Sequence, residues 1–253
     1  MRTSGKTVLI TGGGSGIGLA LAERFYNAGN KVIICGRRID KLQEAKEKMP
    51  NLHTLVCDVA NEADRKLLLD AMVNEFPELD VLVNNAGIQQ RINLQDLNAD
   101  WGYFHQEIVA NLEAPIHLTM LFLPYLLKKQ EGTIINVSSN LAVTPAAWVP
   151  IYSATKAALH SFSMSLRLQL AETNVNIVEV MPTAINTDLG GVGLHTFGVP
   201  VDEFADAVFV GLENGDMEIG YAGSEKTIRA TRDEIDEVAK RMWENFIKNN
   251  PKF

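Results

Sequence analysis

Tyr152 and Lys156 stand four residues apart in Tyr152-Ser-Ala-Thr-Lys156, a spacing that puts a phenol and an ammonium on one face of a helix. A free tyrosine ionises near pH 10 and is a poor base at neutrality. A neighbouring ammonium favours the phenolate and lowers that value. Such a phenol can give a proton to a carbonyl oxygen in reduction or take one from an alcohol in oxidation. The spacing alone says little. In a chain with five tyrosines and 13 lysines it recurs as Tyr125 and Lys129. Position separates the pairs. Tyr125 and Lys129 precede the apolar run Gly132-Thr-Ile-Ile-Asn136, at the amino end of a strand, and read as a surface helix terminus whose lysines complement the dipole. Tyr152 follows that run and the polar turn Ser138-Ser139. It therefore belongs to the carboxyl end, where open parallel sheets bind ligands. A hydroxyl of Ser139 or of Ser138 could hold the substrate oxygen and stabilise its developing charge.

Asn111 lies in a helical segment from about Asn98 to Lys128, and Pro115 follows it by four residues. Proline has no N–H, so the Asn111 carbonyl loses its usual helical partner. A carbonyl freed in this way can hold a water that relays protons towards Lys156; the plainer reading is a kink.

A second group of residues suits a dinucleotide. Thr11-Gly12-Gly13-Gly14-Ser15-Gly16-Ile17-Gly18 joins the first apolar run to the first helical pattern. Its glycines permit a tight turn and let a pyrophosphate approach the backbone, and the helix start offers free N–H groups and partial positive charge. An acid at the end of the second strand would bind the adenosine ribose and repel a 2′-phosphate. Here the strand ends Cys35-Gly36-Arg37-Arg38 instead. Two guanidiniums suit a phosphate, so NADP(H) is preferred and NAD(H) remains possible; the alternative is that the arginines are simply solvated. Asp58, followed by Val59, ends the third strand and either meets the adenine or caps the next helix. Asn84-Asn85-Ala86-Gly87 ends the fourth and either walls the cofactor crevice or is ordinary sheet-end turn chemistry.

The elements that must position these groups follow from periodicity. Short runs that are apolar throughout alternate with helical patterns, which predicts a parallel sheet covered on both faces. The expected fold is α/β: one doubly wound, Rossmann-type domain over 1–253, with about seven parallel strands and helices on both faces. Residues 188–200 are glycine-rich and follow a strand; they read as a loop over the substrate or as a surface connection. Residues 225–253 read as a helical segment with Ile228, Ile235, Val238, Met242 and Phe246 on one face. Gln89, Gln90, Arg91, Leu141, Trp148, Thr183, His195 and Phe197 are candidate substrate neighbours.

Composition narrows the class. The 253 residues carry a net charge of -8, which argues against a nucleic-acid surface. No apolar stretch is long enough for a membrane span, and Cys35 and Cys57 sit in apolar runs as thiols of a reducing, cytoplasmic compartment. No cluster has metal-ligand spacing. The partner expected is a small carbonyl or alcohol.

Taken together, Thr11–Gly18, Asp58, Asn84–Gly87, Asn111, Ser139 and Tyr152-Ser-Ala-Thr-Lys156 resemble, in order, the motifs of the short-chain dehydrogenase/reductase superfamily. The resemblance implies a tetrad of Asn111, Ser139, Tyr152 and Lys156, with Ser139 rather than Ser138 at the family's distance before the tyrosine. It implies cofactor contacts from Gly12, Gly14, Ser15, Gly16, Ile17, Gly18, Arg37, Arg38, Asp58, Val59, Asn85, Ala86, Gly87, Tyr152, Lys156, Pro182, Ile185 and Thr187. It implies a homodimer or homotetramer built on two long helices. One departure stands out: many members carry Pro-Gly where this chain has Pro182-Thr183. A second function class shares the fold, a nucleotide-binding regulator without chemistry, although a regulator has no need of Tyr152, Lys156 and Ser139 together.

Overall fold

In the computed structural model, which describes residues 1–97 and 99–253, the expected sheet is present. Seven strands, β1 (Thr7–Thr11), β2 (Lys31–Gly36), β3 (His53–Val56), β4 (Leu79–Asn84), β5 (Gly132–Val137), β6 (Val175–Met181) and β7 (Glu218–Gly220), lie in the order β3-β2-β1-β4-β5-β6-β7. Every pairing is parallel. Parallel strands need crossovers, and helices supply them on both faces. The two-residue period of a strand divides the core. Val8, Ile10, Val32, Ile34, Val81 and Val83 pack towards α1 (Gly16–Asn27), α2 (Ile39–Lys48) and α7 (Val201–Asn214). Leu9, Ile33, Cys35 and Leu82 pack towards α3 (Glu62–Glu75), α5 (Ala114–Leu126) and α6 (Pro150–Gln169). The strand order reverses between β1 and β4, and this switch point opens the crevice that holds the site.

Three segments depart from the sequence reading. The long helix expected from about Asn98 is instead α4 (Trp101–Ile108), a π turn (Val109–Glu113) and α5; Asn98 itself lies outside the described residues. The Asp100 side chain accepts the Tyr103 N–H and starts α4. The segment 225–253 is α8 (Ser224–Thr227) and α9 (Arg232–Asn249), broken where Thr231 and Glu234 form a reciprocal capping box. That box was readable as Thr231-Arg-Asp-Glu234, and it leaves Ile228 outside α9. The helix α7, which the periodicity did not single out, follows the loop 188–200, whose flanks are joined by a bridge from Ile185 to Val199.

Candidate functional site

The glycine loop after β1 is shaped by close contacts. Gly12 has φ +66°, and a Cβ there would stand 2.9 Å from the Ala86 Cα. A Cβ at Gly18 would stand 2.4 Å from the Asn85 amide nitrogen and 2.5 Å from the Gly12 carbonyl oxygen. Thr11 ties the loop to β4: its hydroxyl accepts the N–H groups of Asn85 and Ala86 and donates to the Val83 carbonyl. The Asn85 side-chain amide donates to the Thr11 carbonyl. Asn85 thus holds the loop, whereas Asn84 turns into the sheet face, where its amide donates to the Asn136 side chain at 2.9 Å. Ser15 precedes α1 without capping it by its side chain, and no acid occupies the first turn, so the helix start is left for an anion. The same Ser15 hydroxyl accepts from Arg38 at 2.6 Å.

Arg37 and Arg38 line the crevice beyond β2. Arg37 stands 3.9 Å from Asp58 and is largely exposed. Asp58 lines the crevice too, and its carboxylate accepts the Ala60 N–H. The cap of α3 is Asn61, which accepts from Ala63; of the two readings of Asp58, the helix cap is therefore the wrong one. Gly12, Gly14, Ser15, Gly16, Ile17, Val59, Asn85, Ala86, Gly87, Pro182, Ile185 and Thr187 all border the same cavity of about 1430 Å³. Gly18 does not: it is buried against the loop. The cavity exceeds the roughly 300–1,000 Å³ of a single small-ligand pocket, as a dinucleotide with a substrate beside it requires.

At the floor lie Tyr152 and Lys156, one turn apart on α6 and both buried. The Lys156 ammonium donates to the Val137 carbonyl at 2.8 Å and sits 5.5 Å from the centre of the Tyr152 ring. Burial drives the tyrosine well above its ordinary value, while the Ser139 hydroxyl pulls the other way. Burial also lowers Lys156 to about 8, against the pull of Glu107 and Glu179. Ser139 begins the short turn Asn140–Ala142, and its hydroxyl accepts the Leu141 N–H. Ser138 borders the cavity too, but its hydroxyl donates to buried Glu179 at 2.5 Å whereas that of Ser139 stands by Tyr152, so their partners separate the two serines.

Asn111 lies inside the π turn, where the Ala114 N–H reaches the Val109 carbonyl. Its side chain clamps the chain after β4, accepting the Ile88 N–H at 2.9 Å and donating to the Ile88 carbonyl at 2.8 Å. Glu107, one turn earlier, was not singled out from sequence. It is fully buried, and burial raises its carboxyl to about 7. A readable signal existed: Phe104, Glu107, Asn111 and Ala114 follow one helical stripe, and the rest of that stripe is buried. The second Tyr-x-x-x-Lys pair behaves as expected of a surface terminus, with Lys129 donating to the Pro77 carbonyl.

On the substrate side Trp148 stacks on Phe246 of α9 at 4.6 Å, and the Arg91 guanidinium lies 5.7 Å from the Phe246 ring. Gln89, Gln90, Leu141, Thr183, His195 and Phe197 also line the cavity. The 188–200 loop borders it through Asp188, Leu189, Gly190, Leu194, His195 and Phe197. Among the described residues no group of three or more metal-ligating side chains is suited to an ion, and no helix is long and apolar enough to cross a membrane.

Residues 6–192 match the family model of the short chain dehydrogenases. The chain is 43% identical over 247 residues to the uncharacterized oxidoreductase DltE of Bacillus subtilis, covering 96% of this chain and 98% of that one. It is 31% identical over 234 residues to the NADP-dependent 3-hydroxy acid dehydrogenase YdfG of Escherichia coli K12, covering 91% and 86%. A short-chain dehydrogenase from Sphingobium yanoikuyae in complex with NADPH superposes with a TM-score of 0.80 at 26% identity, over 92% of this chain and 95% of that one. The protein belongs to the short-chain dehydrogenase/reductase family, whose members are oxidoreductases that use a nicotinamide dinucleotide.

Proposed function

We propose that this protein is an NADP(H)-dependent oxidoreductase that interconverts a carbonyl and an alcohol, with Tyr152 as general acid in reduction and general base in oxidation. The observation that carries the reading is the buried Tyr152–Lys156 pair at the floor of a crevice whose upper half is a glycine cradle. The cradle fits a dinucleotide: glycines stand where side chains would clash, and an uncapped helix start faces the crevice. When bound, the nicotinamide supplies or accepts the hydride. The chain does the rest. The Lys156 ammonium favours phenolate at Tyr152 and holds the nicotinamide ribose, and the Ser139 hydroxyl holds the substrate oxygen. Asn111 keeps the chain after β4 in place. Arg37 and Arg38 would take the 2′-phosphate, which favours NADP(H) over NAD(H).

The 188–200 loop and α9 wall the substrate side, where the Thr183 hydroxyl and His195 Nδ1 are buried without a hydrogen-bond partner. Arg91 adds a cation at that wall. A panel of ketones, aldehydes and quinones, with hydroxy acids included because YdfG acts on them, would therefore be scanned by NADPH absorbance. The reading expects turnover of at least one compound and its loss in Tyr152→Phe by about 10²–10⁴-fold, with NADPH binding kept. NADPH binding with no turnover anywhere on the panel would replace it with a regulatory role. Trp101, Met120, Met164 and Leu168 are exposed on α4, α5 and α6 and fit a family-type pairing of subunits. Sedimentation should then give a multiple of 27.9 kDa. The two free, buried thiols fit a reducing cytoplasm.

A further inference from the structure

We infer that the substrate carries a carboxylate and that Arg91 is the specificity-determining residue that receives it. The inference deepens the oxidoreductase reading above and rests on it. Arg91 borders the substrate side of the cavity, and its guanidinium lies 5.7 Å from the centre of the Phe246 ring. Phe246 stacks on Trp148 at 4.6 Å, and Trp148 packs in one cluster with Tyr152. Two ring contacts thus join the cation to the wall that holds the proton donor. The backbone of Arg91 is fixed from both sides. The Gln90 N–H donates to Glu107 and the Ile92 N–H to the Trp148 carbonyl, both at 3.0 Å. Gly87 lies against Lys156, since a Cβ there would stand 3.8 Å from the ammonium. Four residues of chain span at most roughly 14 Å, so the Arg91 backbone stands within a small molecule's length of Gly87.

This guanidinium has no acid of its own. Arg24, Arg65 and Arg167 each pair with a carboxylate, whereas among the described residues none pairs with Arg91. Stacking on a ring occupies the face of a guanidinium and leaves its in-plane N–H groups for the two oxygens of a carboxylate. Two further atoms of the cavity wall, the Thr183 hydroxyl and His195 Nδ1, are buried without a hydrogen-bond partner. A buried polar atom is unfavourable until a ligand or water satisfies it. Charge narrows the class. The chain's net charge of -8 repels an anion at a distance, so holding one requires a local cation that is not already paired. Asp188 borders the same side of the cavity and opposes a second negative charge, which suits a carboxylate better than a phosphate. Leu141, Trp148, Leu189, Met242 and Phe246 supply apolar wall for the carbon skeleton between carbonyl and carboxylate.

Two measurements test this. In the first, carbonyl compounds are assayed with NADPH as matched pairs, each oxo acid beside its methyl ester. The acid should be preferred in kcat/KM by about tenfold or more, the margin of a charge-assisted hydrogen bond. Arg91→Gln should lower kcat/KM for the acid at least tenfold more than for the ester, and Arg91→Lys should keep part of the preference. The second measurement needs no turnover. With NADP⁺ filling the glycine cradle, malonate and its uncharged diamide, malonamide, are titrated by calorimetry. Malonate should bind the more tightly, and Arg91→Gln should weaken it at least tenfold in a variant whose melting temperature and NADP⁺ affinity show it to be folded. Equal losses on acid and ester would make Arg91 a latch for α9 and overturn the inference. So would malonate that binds no better than malonamide, or that ignores the substitution. Turnover confined to neutral compounds overturns it alone. Malonate binding at Arg91 without turnover of any pair upholds the carboxylate site and overturns the oxidoreductase reading.

Discussion

At the scale of single residues the candidate site was legible where chemistry demands a particular side chain at a particular place. Tyr152, Lys156 and Ser139 line one crevice because each lies near the carboxyl end of a strand or on the helix facing it, while Asn111 lies buried behind that wall, bonded to Ile88. Ser139 and Ser138 could not be separated by residue type, since both are hydroxyls on one turn; the family's spacing favoured Ser139, and the bond from Ser138 to Glu179 agrees with it. Glu107 escaped because a glutamate in a helix ordinarily reads as solvated. The arginines after β2 carry the residue-scale prediction. Arg38 is held to Ser15 beside the helix start, and Arg37 is exposed near Asp58, so both guanidiniums are at hand for a 2′-phosphate. In the double variant Arg37→Ala/Arg38→Ala, NADPH should bind roughly tenfold or more weakly, because a hydrogen bond to a charged group contributes about 1.5–3 kcal/mol. NADH should weaken far less. Equal losses, measured by titration calorimetry, would remove the phosphate role.

Elements were legible in kind and less so in extent. Strands that are apolar throughout and helices with one apolar stripe gave a parallel sheet covered on both faces. What periodicity could not supply is where a helix pauses. The π turn around Asn111 inserts a residue into the hydrogen-bond ladder without altering the apolar pattern. The break before α9 is made by a capping box, a signal of four residues inside a long charged run. The turn between β1 and α1 is the element most tightly determined by contacts, and it supports a direct prediction. In Gly18→Ala the new methyl would meet the Asn85 amide and the Gly12 carbonyl, and Asn85 cannot retreat without releasing Thr11. The loop must open, so NADPH affinity should fall at least tenfold while the far-ultraviolet dichroism stays that of a folded α/β chain. An alanine variant with unchanged affinity would show that the turn is not the cradle.

At the scale of the whole molecule, one sheet carries β1 to β3 on one side of the switch point and β4 to β7 on the other. Within the second half, His160 and Glu179 join α6 to β6 in a contact with a pH dependence. The imidazole of α6 meets the buried carboxylate of β6 at 2.8 Å, and that bond raises His160 above its ordinary 6.5. A group raised in the folded state adds stability that is fully present below its unfolded value and is lost as pH climbs through its folded one. His160→Gln keeps a hydrogen-bond donor and loses the titration. Its melting temperature should trail the parent by a few degrees in mild acid, since each kcal/mol moves the midpoint by about 2–4 °C in a chain of this size. The gap should narrow above pH 6.5 as the imidazole loses its proton. A gap that is constant across that range, or that widens with pH, would mean that packing and not the ion pair joins the helix to the strand.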